Sequence, residues 1–287
     1  RPGRIPLVLV HGAASSPARW AQMLNEIFND RELWNRYQVW LFTYNAGNPI
    51  LYSGGILTQG LRSVVQQLDP TGKDSALRKM VVIGHSQGGL LTKLTAIDSG
   101  DRFWDRAFTV PIDQVDVSPD TRELLRRSFF YEPLPFVHRV DFISTPHRGS
   151  HLAGGYITDL LRRLISLPLT LLNPLQEAFQ RNPEAMTTKA MGAEVPRSTD
   201  NMDPDSEFIK TFSSIPIAPG VSAHSIIAVA NPEDPQAEWD DGVVAYSSAH
   251  IDGVASELVV HSGHSAQESP LAIEEVRRIL VENLKEP

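Results

Sequence analysis

Residues Gly84 to Gly89 read Gly-His-Ser-Gln-Gly-Gly, between a β-branched run (Met80 to Ile83) and a helical pattern (Leu90 to Ile97). No other feature constrains the fold as much. An apolar run that turns sharply into a helix is the first half of a β-α-β unit, and such units stack into a mainly parallel sheet. The G-x-S-x-G spacing adds a chemical reason for the turn. A serine at the apex of a strand-to-helix turn is held in strained backbone with its hydroxyl presented, and small flanking residues let the neighbouring strand and helix pass close by. The amino end of the helix behind it favours negative charge developing there. Ser86 is therefore the candidate nucleophile.

The alternation continues along the chain. Ile5 to Val10, Gln38 to Tyr44, Val137 to Ser144, Ser225 to Ala230 and Glu257 to Val260 read as further strands. Ile56 to Leu68 has a helical period that groups Ile56, Gly60, Val64 and Leu68 on one face. Pro270 to Leu284 closes the chain as an amphipathic helix, with Ile273, Val276, Ile279 and Leu280 on one side. Two stretches break the pattern. Asp101 to Pro135 holds a helix with Ser118 as N-cap and Pro119 at its first position, beside aromatics expected to be exposed: Phe103, Trp104, Phe108, Phe129, Phe130 and Tyr131. In Ser150 to Ile215, Ile157, Leu160, Leu161, Leu164 and Ile165 follow helical spacing, and Arg162 and Arg163 take the other face. The fold class is α/β, with a mainly parallel central sheet flanked by helices. Residues 1–287 read as one domain carrying a lid or cap insertion over about 150–215.

Composition closes off other classes. With 41% hydrophobic and 21% charged residues, the chain can bury a full core, which excludes disorder, collagen and coiled coil. A net charge of −8 argues against a nucleic-acid partner and weighs against unaided binding to anionic membranes. Zero cysteines remove disulfides, thiolate metal sites and a cysteine nucleophile. No His/Asp/Glu cluster has zinc-like spacing, and no phosphate loop or dinucleotide fingerprint occurs, so neither metal nor cofactor is expected. The most apolar stretch, Leu160 to Leu175, is interrupted by Arg162, Arg163, Pro168 and Pro174 and is too short to span a bilayer. No integral membrane association is expected. A chain starting at Arg1 reads as a processed or truncated form, which leaves export open.

Five segments together resemble the α/β-hydrolase superfamily, specifically bacterial serine carboxylesterases and lipases: LVLVHG at Leu7 to Gly12, GHSQGG at Gly84 to Gly89, STPHRGS at Ser144 to Ser150, DDGVV at Asp240 to Val244, and the region around His264. The resemblance implies the α/β-hydrolase fold and hydrolysis of a hydrophobic carboxylic ester through an acyl-enzyme. The substrate would be a small-molecule or polymeric ester, aliphatic polyesters included. The family's usual first two strands have no counterpart, since the chain begins almost at the strand carrying His11-Gly12.

Two backbone donors must face the developing oxyanion. One is the amide of Gln87, directly after the nucleophile. The resemblance assigns the other to Ala13, in the family's His-Gly-x loop. The family order is serine, acid, histidine. His250, His261 and His264 compete for the base, and the resemblance favours His264 in the loop before the last helix. Glu233, Asp234, Glu238, Asp240 and Asp241 compete for the acid. Asp241 precedes Gly242-Val243-Val244 in the family's pattern and is preferred, with Asp240 next. Thr145 to Ser150 reads either as structural turn chemistry or as a part that lines the pocket or anchors a lid. If the 150–215 insertion is a lid, its leucines and Phe179 would line an acyl pocket. A triacylglycerol lipase, an amidase, thioesterase or acyltransferase using the same machinery, and a non-catalytic scaffold are the alternatives.

Overall fold

The computed structural model describes residues 2–150, 169–187 and 203–286. All six predicted strands form: β1 (Ile5–Val10), β2 (Tyr37–Phe42), β3 (Met80–His85), β4 (Val137–Ile143), β5 (Ser222–Val229) and β6 (Ser256–His261). They pair in parallel in the order β2-β1-β3-β4-β5-β6. Helices α1 (Ala21–Phe28), α2 (Arg31–Arg36), α3 (Ile50–Leu68), α4 (Gln87–Leu94), α5 (Pro119–Phe129), α6 (Leu169–Arg181), α7 (Glu207–Ser214), α8 (Tyr246–Ala249) and α9 (Pro270–Lys285) make up the connections and the C-terminal end. The chain has the α/β-hydrolase architecture, a parallel sheet flanked by helices.

Strands covered on both faces read as continuous apolar runs, which is why β1 and β3 are legible. Val8, Val10, Val82, Val140 and Phe142 point to one side and pack with α3 and α4 residues such as Leu57, Leu61, Leu90 and Leu94. Leu7, Leu9, Val81, Ile83 and Ile226 point to the other, against Met23 and Ile27 of α1 and Ile273, Val276 and Leu280 of α9. Because β2 and β3 flank β1 on opposite sides, the chain reverses direction there. In open parallel sheets the crevice at such a reversal, beyond the carboxyl ends of the strands, is where ligands bind.

The structure orients one helix and corrects one expectation. The row Ile56, Gly60, Val64 and Leu68 faces solvent, and α3 buries Ser53, Gly54, Leu57, Thr58 and Leu61 instead. Packing decides this: α3 approaches α4 and α5 so closely at Gly54 and Gly55 that a Cβ there would meet Leu94 Cδ1 at 2.3 Å and the Arg127 carbonyl at 2.5 Å. That pair of glycines, not the largest apolar residues, sets the contact face. The aromatics of 101–135 are not exposed either. Trp104 and Phe108 are buried in a satellite core with Ile112, Val115, Leu125, Ala178 and Met186, and Phe129, Phe130 and Phe179 pack against it. Phe103 and Tyr131 belong to the main core. Phe179 is thus engaged with this cluster, an unanticipated junction between 101–135 and α6. Glu177 fastens it, accepting from Ser118 N at 2.9 Å and from the Thr121 hydroxyl at 2.5 Å. Ser118 caps α5 as expected, its Oγ accepting from Thr121 N at 3.2 Å. Ile157, Leu160, Leu161, Leu164 and Ile165 lie outside the described residues.

On the α9 side, β4 buries two charged residues. Arg139 donates to His224 Nε2 at 2.7 Å and to Asn283 Oδ1 at 3.2 Å, and pairs with Glu286. Asp141 is fully buried, and neither carboxyl oxygen has a partner among the described residues. Burial first, then the nearby Glu275, pushes its carboxyl up to about 8.

Candidate active site

The candidate residues converge on that crevice because each follows the carboxyl end of a strand: Ala13 after β1, Ser86 after β3, Asp241 after β5 and His264 after β6. Ser86 has φ 53° and ψ −126°, a conformation that a residue with a Cβ adopts only at a cost of about 1–3 kcal/mol. Its amide is tied to the Ile143 carbonyl at 2.8 Å, which fixes the turn against β4. Gly88 is obligatory at the turn, since a Cβ there would lie 2.2 Å from the Val10 carbonyl oxygen. At Gly84 it would lie 2.3 Å from the Gly88 carbonyl oxygen. Ser86 is only 4% exposed, less open than the motif alone suggests. Gly12 closes in on it, with its Cβ position 3.0 Å from Ser86 Cβ.

Ser86 Oγ lies 2.8 Å from His264 Nε2, and His264 Nδ1 lies 2.9 Å from Asp241 Oδ2. A carboxylate only accepts, so Nδ1 carries the proton and Nε2 is left to accept from the serine hydroxyl. Asp241 is buried, and its other oxygen accepts from Val243 N at 2.9 Å and Val244 N at 2.7 Å. Those two amides hold the carboxylate at a fixed angle to the imidazole. The rival candidates lie elsewhere. Asp240 Oδ1 accepts from Gly242 N at 2.7 Å, His261 donates from Nε2 to the Ala230 carbonyl at 2.9 Å, and His250 pairs with Glu257 at 2.6 Å.

Ala13 is half-buried in the turn after Gly12, and Gln87 is the first residue of α4. A first-turn amide of an α-helix has no intrahelical acceptor, which leaves the Gln87 N–H available to a ligand. The Gln87 side chain turns away and donates from Nε2 to the Ala46 carbonyl at 2.9 Å.

Two residues of the site had no assigned role in the sequence. His85 occupies the variable position before the serine, and it donates from Nε2 to the His264 carbonyl oxygen at 2.7 Å. Burial, and secondarily His264, depresses its pKa to about 3, so it stays neutral at working pH. Its only signal was a polar residue at the buried end of a strand. Arg148, in the 144–150 motif, donates to the Ser247 carbonyl at 3.0 Å and to that of His250, while its own amide donates to Ser248 Oγ at 3.1 Å. It thereby pins the segment that follows Asp241. The motif acts in the described structure as a brace between β4 and α8.

Among the described residues no group of three or more His, Asp or Glu could hold a metal ion, and no helix is long and apolar enough to cross a membrane.

No curated protein matches the sequence. Among solved structures, the mature lipase BlEst2 of Bacillus licheniformis aligns over 98% of this chain and 93% of its own, with 15% identity and a TM-score of 0.54. The same lipase in its propeptide form gives 0.55, the match covering 51% of that longer chain. Phospholipase PlaB from Legionella pneumophila gives 0.55 at 12% identity, over 98% of this chain and 60% of that one. At such identities the likeness is one of fold. The family model described as the alpha/beta hydrolase family matches residues 7–276, and the chain belongs to that family.

Proposed function

We propose that the protein is a serine carboxylesterase that hydrolyses hydrophobic carboxylic esters through an acyl-enzyme. The observation that carries this reading is the continuous hydrogen-bonded chain from Ser86 Oγ through His264 to Asp241 at the sheet's reversal point. Ser86 Oγ attacks the ester carbonyl carbon while His264 Nε2 takes its proton. Asp241 holds the tautomer and stabilises the imidazolium. The carbonyl oxygen, now anionic, is received by the amides of Ala13 and Gln87. His264 returns the proton to the departing alkoxide, which leaves as alcohol. Water then enters and gives a proton to Nε2 as its oxygen bonds the acyl carbon; the acyl–Oγ bond breaks, Nε2 returns the proton to Ser86 Oγ, and the acid leaves. Every proton is accounted for within these side chains. Aliphatic polyesters fall within the proposed range, and release of acid from emulsified polycaprolactone measures that part separately.

The test is hydrolysis of p-nitrophenyl esters from acetate to palmitate by wild type and Ser86→Ala, beside fluorophosphonate labelling. The expected result is turnover and labelling that vanish together in Ser86→Ala. A peak at short acyl chains marks an esterase, and a peak at long chains with a rate jump above the solubility limit marks a lipase. Folded protein that neither turns over nor labels would return the reading to a non-catalytic scaffold.

A further inference from the structure

A cavity of about 570 Å³ opens beside the proposed oxyanion amides. One wall is the β1–α1 connection directly after Ala13, contributing Ser15, Ser16 and Arg19; the other is the β2–α3 connection, contributing Tyr44, Asn45 and Ala46. It borders the serine turn, because Ala46 is the residue whose carbonyl receives the Gln87 side chain at 2.9 Å. A space of this size holds a small-molecule arm. Its wall mixes apolar surface with polar groups: hydroxyl, amide and guanidinium groups line it beside the alanines, and among the described residues Arg19 is the charged one.

Arg19 stands between this cavity and the loop carrying the base. Its Nη1 donates to Glu268 Oε1 at 2.9 Å, and Glu268 follows His264 by four residues in the chain. The two side chains are 54% and 37% exposed, and a pair this exposed contributes roughly 0.2–1 kcal/mol. A guanidinium has five N–H donors, and Glu268 engages one of them. A ligand carboxylate can share or replace Glu268 at little cost, and would gain a charge-assisted bond in a partly enclosed place. The net charge of −8 repels anions from the molecule as a whole, so a local cation at the crevice favours their binding there.

We propose that this cavity is the subsite for one arm of the ester, and that the arm it takes carries a carboxylate held by Arg19, with the Ser15 and Ser16 hydroxyls alongside. The substrate class is then half-esters of dicarboxylic acids, or esters of carboxylate-bearing alcohols. This inference rests on the serine-esterase reading.

The test uses two matched pairs of probes. On the acyl side, p-nitrophenyl hydrogen glutarate is compared with p-nitrophenyl pentanoate; on the alcohol side, 4-carboxyphenyl butanoate is compared with phenyl butanoate. The readout is the anionic-to-neutral ratio of kcat/KM, in which intrinsic ester reactivity cancels between variants. Arg19→Gln is expected to lower that ratio by about 10-fold for one of the two pairs. Glu268→Gln, which removes the competing carboxylate, is expected to raise the same ratio about 3-fold, and 1 M salt to shrink the wild-type preference. Ratios within twofold of wild type for both variants in both pairs would overturn the subsite while leaving the esterase reading intact. Absence of Ser86-dependent turnover on all four probes would overturn both.

Discussion

His85 and His264 are joined by a hydrogen bond that runs from a side chain on the serine turn to the backbone of the proposed base, Nε2 to carbonyl oxygen at 2.7 Å. Their rings lie 5.0 Å apart at 49°. The bond fixes the main chain of a loop residue whose side chain must meet Ser86 within a few tenths of an ångström. Replacing His85 with Phe should lower kcat by about 10-fold with little change in KM, since a slightly misplaced base costs that much without touching substrate binding. Gln, whose terminal amide places a donor near the imidazole Nε2 position, should recover part of the loss. Equal kcat in Phe, Gln and wild type would show that the loop holds its place without the bond.

Asp241→Asn should cut kcat by ~10³–10⁴-fold. The amide would donate to Nδ1, forcing the proton onto Nε2 and leaving nothing to accept from Ser86 Oγ–H. Asp240→Asn, at a carboxylate that accepts from Gly242 N in its own turn, should stay within a few-fold of wild type. Steady-state kinetics on a short p-nitrophenyl ester measures both, and similar losses in the two variants would contradict the assignment of Asp241.

Gly88→Ala and Gly60→Ala form a pair with opposite signs. At Gly88 the new methyl would collide with the backbone of β1, so the variant should be strongly destabilised or insoluble. At Gly60 a Cβ meets nothing within 4 Å, on the solvent face inside α3, and alanine should stabilise by about 0.4–1 kcal/mol by restricting the unfolded chain. Thermal unfolding of both variants decides.

Asp141 gives a pH signature. Its folded pKa of about 8 lies above the ordinary 3.8, so between those values the folded state holds a proton that the unfolded state has lost. The stability it contributes is complete below pH 3.8 and is lost as pH rises through 8. Asn cannot titrate. The stability of Asp141→Asn relative to wild type should therefore climb steadily from pH 4 to pH 8 and level off above, a change on the order of 6 kcal/mol. A difference that stays flat across that range would mean the carboxyl is not held neutral by the fold.

Much of this architecture is written in local pattern. The β1 and β3 runs are apolar on both faces, and the glycine-bracketed serine marks both a turn and a chemistry. Asp241 and His264 were harder, since Asp240 and His261 lie one and three residues away and obey the same rules of composition. What separates them is direction: Asp241 turns inward to the amides of Val243 and Val244, while His261 is occupied by the Ala230 carbonyl. Periodicity grouped Ile56, Gly60, Val64 and Leu68 on one face of α3 without saying which face packs, because the helix packs where it is smallest, at Gly54 and Gly55. The aromatics of 101–135 were misjudged because they bury one another with Ile112, Val115 and Leu125 of the same stretch, under a cover completed by Ala178 and Met186 more than 40 residues further along.

The proposed base leans on the helix that follows it. Ser86 and His264 are 178 residues apart, and α9, which follows the base, is held down by bonds from Tyr37 to the Leu280 carbonyl and from Asn283 back to Tyr37. Docking of α9 therefore bears on the position of the loop that precedes it, and with it on the residue that would activate the serine. A chain whose α9 is detached would carry an idle serine, and hydrolytic activity would report that this helix is seated.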